Sequence, residues 1–218
     1  MEKKEIIEQY MKLPTGNVCD AMLHLDIPIG AITKLYPLDI NQRRAVGFAY
    51  TVKQMQRHQA AEGQSLAMHG KLIDEELKEG DLMVIDVGGR IDVCTGGAIL
   101  AQRAKQQGCT GYVINGALRD VKDIIDLDFP VHLAGVSPVK SSPLLQTVGV
   151  NIPVEIDGVQ INPGDLIVTD DTGVVVVPAS RIEDVLEEGL AILDKENGVM
   201  EMLDKGSDFA SANAIYKL

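Results

Sequence analysis

Two short stretches carry residue types that could do chemistry together. The first is Gly96-Gly97-Ala98-Ile99-Leu100, where two glycines lead into a predicted helix. The unpaired backbone N–H groups of such a helix start, with the positive end of its dipole, make a site for a carboxylate or phosphate. The glycines let the backbone approach a ligand closely. The second stretch is Gly116-Ala117-Leu118-Arg119-Asp120. Arginine offers a two-pronged grip on a carboxylate or enolate, and aspartate offers a hard oxygen to Mg²⁺ or Mn²⁺. Neighbouring side chains diverge on a strand or a helix, but in a turn both can reach one cavity. Each stretch also has a plain structural reading. Glycines precede very many helices, and Arg119-Asp120 reads equally as a surface arginine beside an aspartate that caps the next helix.

What decides between these readings is the set of elements that would hold the two stretches. Residues 82–86 (LMVID) and 111–115 (GYVIN) read as buried strands. Between them lie a glycine-bearing loop (88–97) and a helix (about 98–107) closed by Gly108. Strand, helix and strand in that order imply a parallel pair, and ligands in such sheets gather beyond the C-terminal strand ends. Both stretches leave those ends. After the turn at 116–120 come a short helical stretch and the strand 131–135 (VHLAG).

The rest of the chain frames this unit. A helix is expected over 3–12 and stops before Pro14. A second starts near Asn17 as N-cap and carries Val18, Met22 and Leu25 on one side. Residues 46–56 read as a strand and 63–78 as a helix. From 140 to 163 the chain is rich in Pro, Ser, Gly and Asn. It then gives a strand (165–169), a turn at Asp170-Asp171-Thr172-Gly173, a strand (174–178) and a helix from Ser180 to about 204. The turn has good hairpin chemistry, and Ser180 with Glu183 makes a capping-box pattern. Gly80-Asp81-Leu82-x-Val84-Ile85-Asp86 is echoed by Gly164-Asp165-Leu166-x-Val168-Thr169-Asp170, which shared turn chemistry explains without a duplication. No linker divides the chain. One domain over 1–218 is expected, with N-terminal helices in about 1–45, the βαβ unit in about 80–135 and a C-terminal hairpin and helix in about 164–218.

Bulk composition excludes several functions. The 218 residues are 45% hydrophobic but only 4% aromatic, so Val, Ile, Leu, Ala and Met must fill the core. The net charge of -12 argues against direct nucleic-acid binding or attachment to an anionic membrane, and leaves a basic protein surface as a possible partner. No apolar run is long enough to span a bilayer, and the N-terminus lacks a signal-peptide pattern. Cys19, Cys94 and Cys109 read as free thiols of a cytoplasmic protein.

The segments GDLMVIDVGG, TGGAILAQRAKQQGCTGYVINGALRDVKD and FPVHLAGVSP resemble the RraA-like family. That family includes class II 4-hydroxy-4-methyl-2-oxoglutarate aldolases and regulators of ribonuclease E activity. The resemblance extends to LPTGNVCDAM and PGDLIVTDDTGVVVVP, so it covers nearly the whole chain. It implies an α/β fold, a swivelling β/β/α sandwich like phosphohistidine domains, with a mixed sheet. It also implies trimers or pairs of trimers with sites between subunits. Arg119 would then hold the carboxylate and keto oxygen of a 2-oxo acid, and Asp120 would bind a divalent metal, Mg²⁺ or Mn²⁺. The backbone of Gly97, Ala98, Ile99 and Leu100 would cradle the carboxylate. One position departs from the family: Ala98 stands where an acid is usual. Asp123, Asp92 or an acid of a neighbouring subunit could stand in, and Glu196 and Glu201 are candidates to reach across.

Two functions emerge as expectations. The first is a metal-dependent lyase, an aldolase or oxaloacetate decarboxylase acting through a pyruvate enolate, with no evident side-chain base. The alternative is a non-catalytic acidic regulator of a ribonuclease or other basic protein. His24, His58, His69 and His132 match no metal motif; His24 and His132 are expected in core or edge positions. Cys94 lies near the first stretch, but no histidine partner is suggested for it.

Overall fold

The computed structural model describes residues 1–57 and 68–217. The elements run α1 (Lys3–Tyr10), α2 (Thr15–His24), β1 (Ala31–Ile32), β2 (Tyr36–Pro37), β3 (Ala45–Gln56), α3 (His69–Glu75), β4 (Asp81–Gly96), α4 (Ala98–Gln106), β5 (Tyr112–Leu118), α5 (Val121–Asp126) and β6 (Val131–Val136). The chain continues through β7 (Leu145–Val150), β8 (Val154–Ile156), β9 (Val159–Ile161), β10 (Leu166–Thr169), β11 (Val174–Val177), α6 (Ile182–Asp204) and α7 (Phe209–Tyr216).

One mixed sheet organises them, in the order β1-β11-β10-β3-β4-β5-β6-β2, with β7 pairing the far part of β3. Strands β3, β4, β5 and β6 are parallel, as the strand–helix–strand pattern requires. Strands β10 and β11 form the antiparallel hairpin read from the DTG turn. Residues Asp81–Val87 of β4 are all buried, which places the strand under cover on both faces. On one face Val52, Met83, Ile85, Ile114 and Leu133 pack against Leu72 and Ile73 of α3, Ala101 and Ala104 of α4 and Ile124 of α5. Further along that face Val46, Phe48 and Val168 meet α1, α2 and α6. On the other face Ala49, Leu82, Val84, Val113 and Ile167 pack against Val154, Ile156 and Ile161 of the β8–β9 ribbon. The layers are therefore helices, a large sheet and a small β-ribbon. Each large apolar side chain so buried contributes about 1.5–3 kcal/mol.

Several elements differ from their sequence patterns. The expected loop 88–97 is the tail of β4. It swings out and returns to β5 three times, pairing Arg90 with Gly116, Cys94 with Ala117 and Gly96 with Leu118. Gly88 and Gly89, both at positive φ, allow the first excursion. Strand β5 accordingly runs on to Leu118, so only Arg119-Asp120 remain of the expected turn. The second helix starts at Thr15, because Pro14 presets its entry. Asn17 is inside it, buried, with its amide on Glu196. The capping box does not form. Arg181 holds the N-cap position of α6 with no side-chain cap, and the approach is fixed instead by Asp165 accepting from the Ala179 N–H at 2.9 Å. Helix α3 ends at Glu75, short of 78; expected helical residues 63–67, and His58, lie outside the described residues.

The echoed turns are alike in detail. Asp81 accepts from the Lys78 N–H (2.9 Å) and Asp165 from the Asn162 N–H (2.7 Å), each after a glycine at positive φ. The two strands that continue from them flank β3 in opposite directions. Local turn chemistry accounts for the repeat.

Gly47, in the middle of the sheet, has no room for a side chain. A Cβ there would overlap Thr110 Oγ1 and lie 2.8 Å from Leu82 Cβ and 3.0 Å from the Gly80 carbonyl. Gly47→Ala should lower the free energy of unfolding by about 1–3 kcal/mol in urea denaturation, with an unchanged m-value.

Candidate active site

The parallel pairing of β4 and β5 carries both chemical stretches to one end of the sheet. Gly96 ends β4 opposite Leu118, which ends β5, and the Arg119 N–H donates to the Gly96 carbonyl at 3.2 Å. Helix α4 starts at Ala98 directly after the Gly97 N-cap. An open cavity of about 530 Å³ lies here, walled by Cys94 to Gly97, Ile99, Leu100, Arg119 and Asp120. Met68 to Lys71 at the start of α3, and Lys140 and Ser141 of the loop after β6, complete it. A second hollow, lined by Val136 to Pro138, shares Arg119 and Asp120 as its rim.

The Asp120 side chain does not cap the helix next to it, α5. The residue adopts left-handed backbone (φ 59°), which an aspartate tolerates better than most residues. Its Oδ2 turns back instead to accept from the Ala98 N–H of α4 at 3.2 Å, and lies 3.5 Å from Arg119 Nε. Oδ1 has no partner among the described residues. The side chains of Arg119 and Asp120 are 41% and 38% exposed, open to a ligand yet held by one another. The expected backbone cradle is therefore shared. Asp120 takes the Ala98 N–H, while those of Ile99 and Leu100 find no acceptor among the described residues.

Gly97 is required here for space rather than for its backbone, which is extended (φ -163°). A Cβ on it would overlap Asp120 Oδ2 and stand 3.0 Å from Arg119 Cγ. Ile99 points its side chain outward, 81% exposed, at the cavity mouth.

Among the described residues, the side-chain charges of this cavity are Arg119, Lys71 and Lys140 against Asp120. Lys71 is partly compensated by Glu75 at 3.7 Å, whereas Lys140 makes no ion pair among the described residues. The acids named as replacements at position 98 lie elsewhere in the protomer. Asp92 is held by Arg90, Glu196 by Asn17 and Glu201 by Lys205, and Asp123 stands exposed on α5. None of them lines the cavity. Among the described residues no group of three His, Cys, Asp or Glu could enclose a metal ion.

Three wall residues were not singled out by sequence reasoning: His69, Lys71 and Lys140. No motif surrounds them; only the βαβ topology puts α3 and the 137–141 loop beside the α4 start. His69 is buried, and burial alone pushes its ring down to about 4. Its Nε2 lies 2.8 Å from Thr95 Oγ1, and its buried Nδ1 has no partner among the described residues. Cys94 is also buried in the wall, and burial raises its thiol. Of the other histidines, His132 is buried on the Asp170 carbonyl, and His24 is exposed beside Glu188.

The family model for RraA-like proteins, described as Aldolase/RraA, matches residues 15–176. The chain belongs to the RraA-like family. A relative from Halalkalibacterium halodurans, provisionally named a 4-hydroxy-4-methyl-2-oxoglutarate aldolase, is 34% identical over 184 residues, 84% of this chain and 81% of its own. Protein DlpA of Legionella pneumophila is 29% identical over 97% of this chain, which spans only 34% of DlpA. Among solved structures, Streptomyces coelicolor RraAS2, described as an unusual member of the RNase ES inhibitor RraA protein family, superposes with a TM-score of 0.77. It is 25% identical, with 93% of this chain and 96% of RraAS2 covered. The RraA-like resemblance read from GDLMVIDVGG and GALRD thus holds, as does the mixed α/β fold. No helix among the described residues is long and apolar enough to cross a membrane.

Two outcomes test this geometry. Gly97→Ala should leave the thermal midpoint nearly unchanged, because the group it displaces most, the Asp120 carboxylate, is a part-exposed side-chain end. It should weaken binding of a small dicarboxylate such as oxalate at least about tenfold by calorimetry. The second concerns His69. The unfolded ring titrates near 6.5, the folded ring near 4, so between these values only the unfolded chain gains the proton. Stability should fall as pH drops from about 6.5 towards 4 and be unaffected by this group above that window. Urea denaturation across the window should show a flatter profile for His69→Gln than for the wild type.

Proposed function

We propose that this RraA-like protein is a lyase that breaks a C–C bond in a small 2-oxo acid and leaves pyruvate through its enolate. The observation that carries the proposal is the convergence of Arg119, Asp120 and the start of α4 on one cavity rich in cations. The aldolase name of the H. halodurans relative supports the same reaction class.

Each group has a distinct part. The substrate carboxylate sits against the N–H groups of Ile99 and Leu100 and the positive end of α4. Arg119 donates to the keto oxygen and the carboxylate, and its fixed charge favours the enolate more than the ketone. Lys140 adds positive charge to the cavity wall and suits a second carboxylate. Retro-aldol cleavage of a 4-hydroxy-2-oxo acid and decarboxylation of oxaloacetate both place the electron pair of the broken bond on the same pyruvate enolate, so one arrangement serves both. The protein surrounds this chemistry with donors and leaves the leaving fragment room beyond Arg119, over Val136.

A divalent metal fits the donor set in a limited way. Asp120 Oδ1 is unengaged and hard, and the open cavity leaves space for water and substrate oxygens. That suits Mg²⁺ or Mn²⁺ held through one carboxylate, and it does not suit a protein-enclosed zinc. When bound, such a cation supplies Lewis-acid stabilisation of developing negative charge. The open rim, with exposed Ile99 and Val136, is consistent with cover by a second subunit of a trimer or pair of trimers.

Pyruvate release from oxaloacetate and from 4-hydroxy-4-methyl-2-oxoglutarate is the test, with Mg²⁺ or Mn²⁺ and with EDTA. The wild type should turn over at least one substrate in a metal-dependent manner, and Asp120→Ala should lose about 100-fold or more. No release above the metal-only background by folded protein would overturn the proposal for these substrates. That result would favour a non-catalytic acidic regulator of a basic protein, the reading that the net charge of -12 supports.

A further inference from the structure

We infer that His69 is a positioning residue of this site: as a neutral ring donating through Nε2, it holds Thr95 and with it the Gly96-Gly97 turn. The inference rests on the lyase reading. Its basis is a chain of three side chains, each no more than 3% exposed, that joins three elements at the cavity wall. His69 begins α3, Thr95 lies near the end of β4 and Gln54 lies on β3.

The Gln54 amide nitrogen faces Thr147 Oγ1 at 3.4 Å, and in this orientation its oxygen accepts the hydroxyl proton of Thr95 at 2.5 Å. Thr95 Oγ1 can then only accept from His69, whose Nε2 at 2.8 Å must carry the hydrogen. Nδ1 is left as a buried acceptor with no partner among the described residues, and burial keeps the ring neutral. A buried polar chain of this kind adds little stability over apolar side chains of equal volume, whereas it allows only one register. The backbone ahead of it is also committed to that register: Met68, which is not glycine, holds left-handed backbone (φ 53°) and aims His69 inward.

Thr95 matters because of the two carbonyls next in the chain. That of Gly96 receives the Arg119 N–H, and that of Gly97 receives the Ala101 N–H of α4. Three successive residues thus tie to α3, to Arg119 and to α4. A displacement of Thr95 passes to both groups that grip the ligand's carboxylate. Loss of the tie weakens a carboxylate grip common to substrate and transition state, which raises KM, and through Arg119 it also costs enolate stabilisation, which lowers kcat.

The experiment uses the full chain with Mg²⁺, oxalate binding by calorimetry, and kcat and KM for oxaloacetate. Glutamine places an amide nitrogen close to the position of Nε2; asparagine reaches only as far as Nδ1. His69→Asn should weaken oxalate binding about tenfold and lower kcat/KM by at least about tenfold, and His69→Gln should stay within about threefold of wild type in both. Thr95→Val, which keeps the shape and removes the hydroxyl, should reproduce His69→Asn, and Thr95→Ser should not; this pair decides the matter if the His69 variants do not fold. Wild-type affinity in His69→Asn or Thr95→Val, or equal impairment of Asn and Gln, would overturn the positioning role alone. Failure of the wild type itself to bind oxalate would overturn the lyase reading and this inference with it.

Discussion

Asp120 reaches back across Gly97 to the first N–H of α4, and most of the site depends on that reach. Parallel pairing sets the ends of β4 and β5 side by side, but on its own it would leave Asp120 facing the next helix. Left-handed backbone at Asp120 reverses the side chain, and the missing Cβ of Gly97 gives it somewhere to go. One carboxylate oxygen then serves both the helix start and Arg119, while the other stays available. A single acid thereby aligns an arginine, completes a helix terminus and keeps a ligand position open. Enlarging Gly97 or moving Asp120 would disturb all three, although neither change touches the hydrophobic core.

Much of this is legible in the residues, and the exceptions share a physical cause. Strands β4 and β5 are visible as unbroken apolar runs, and the helix between them by its closing Gly108, so the parallel unit and the meeting of Gly97 with Arg119-Asp120 can be read directly. The tail of β4 is not visible. Gly88, Gly89, Arg90 and Asp92 read as a loop because their pairing with β5 is intermittent, and intermittent pairing leaves no period of two. Ser180 and Asn17 look like caps because local patterns ignore Asp165 and Pro14, which decide those helix starts. His69, Lys71 and Lys140 cannot be joined to the site from sequence, since nothing local marks them. A histidine with a lysine two residues on, in an ordinary helix, gives no sign that its ring meets Thr95 across the sheet edge.

Charge also looks different at the two scales. The whole chain is strongly acidic, yet among the described residues the cavity holds Arg119, Lys71 and Lys140 against one carboxylate. At physiological salt the screening length is about 8 Å, so a bound anion responds to the walls around it more than to acids across the molecule. The global charge therefore does not oppose anion binding in the cavity. It acts on the outer surface, where the long helix α6 presents several acids to solvent, and it bears on which proteins the surface tolerates. The proposed anion site and an acidic outer face are compatible in one molecule because they occupy different places.

Ala98 sets the balance between anion and cation at this helix start. An acid at that position would put a second negative charge beside Asp120, where the helix dipole welcomes it but a bound carboxylate does not. With alanine, only a backbone N–H is presented there, and Asp120 already occupies it. The cavity consequently gains affinity for anions and loses hold on a cation in the absence of one. A cation held by Asp120 alone must draw its remaining ligands from water and from the substrate's own oxygens. Under the proposed lyase reading, metal and 2-oxo acid would bind cooperatively, because each would supply what the other's site lacks.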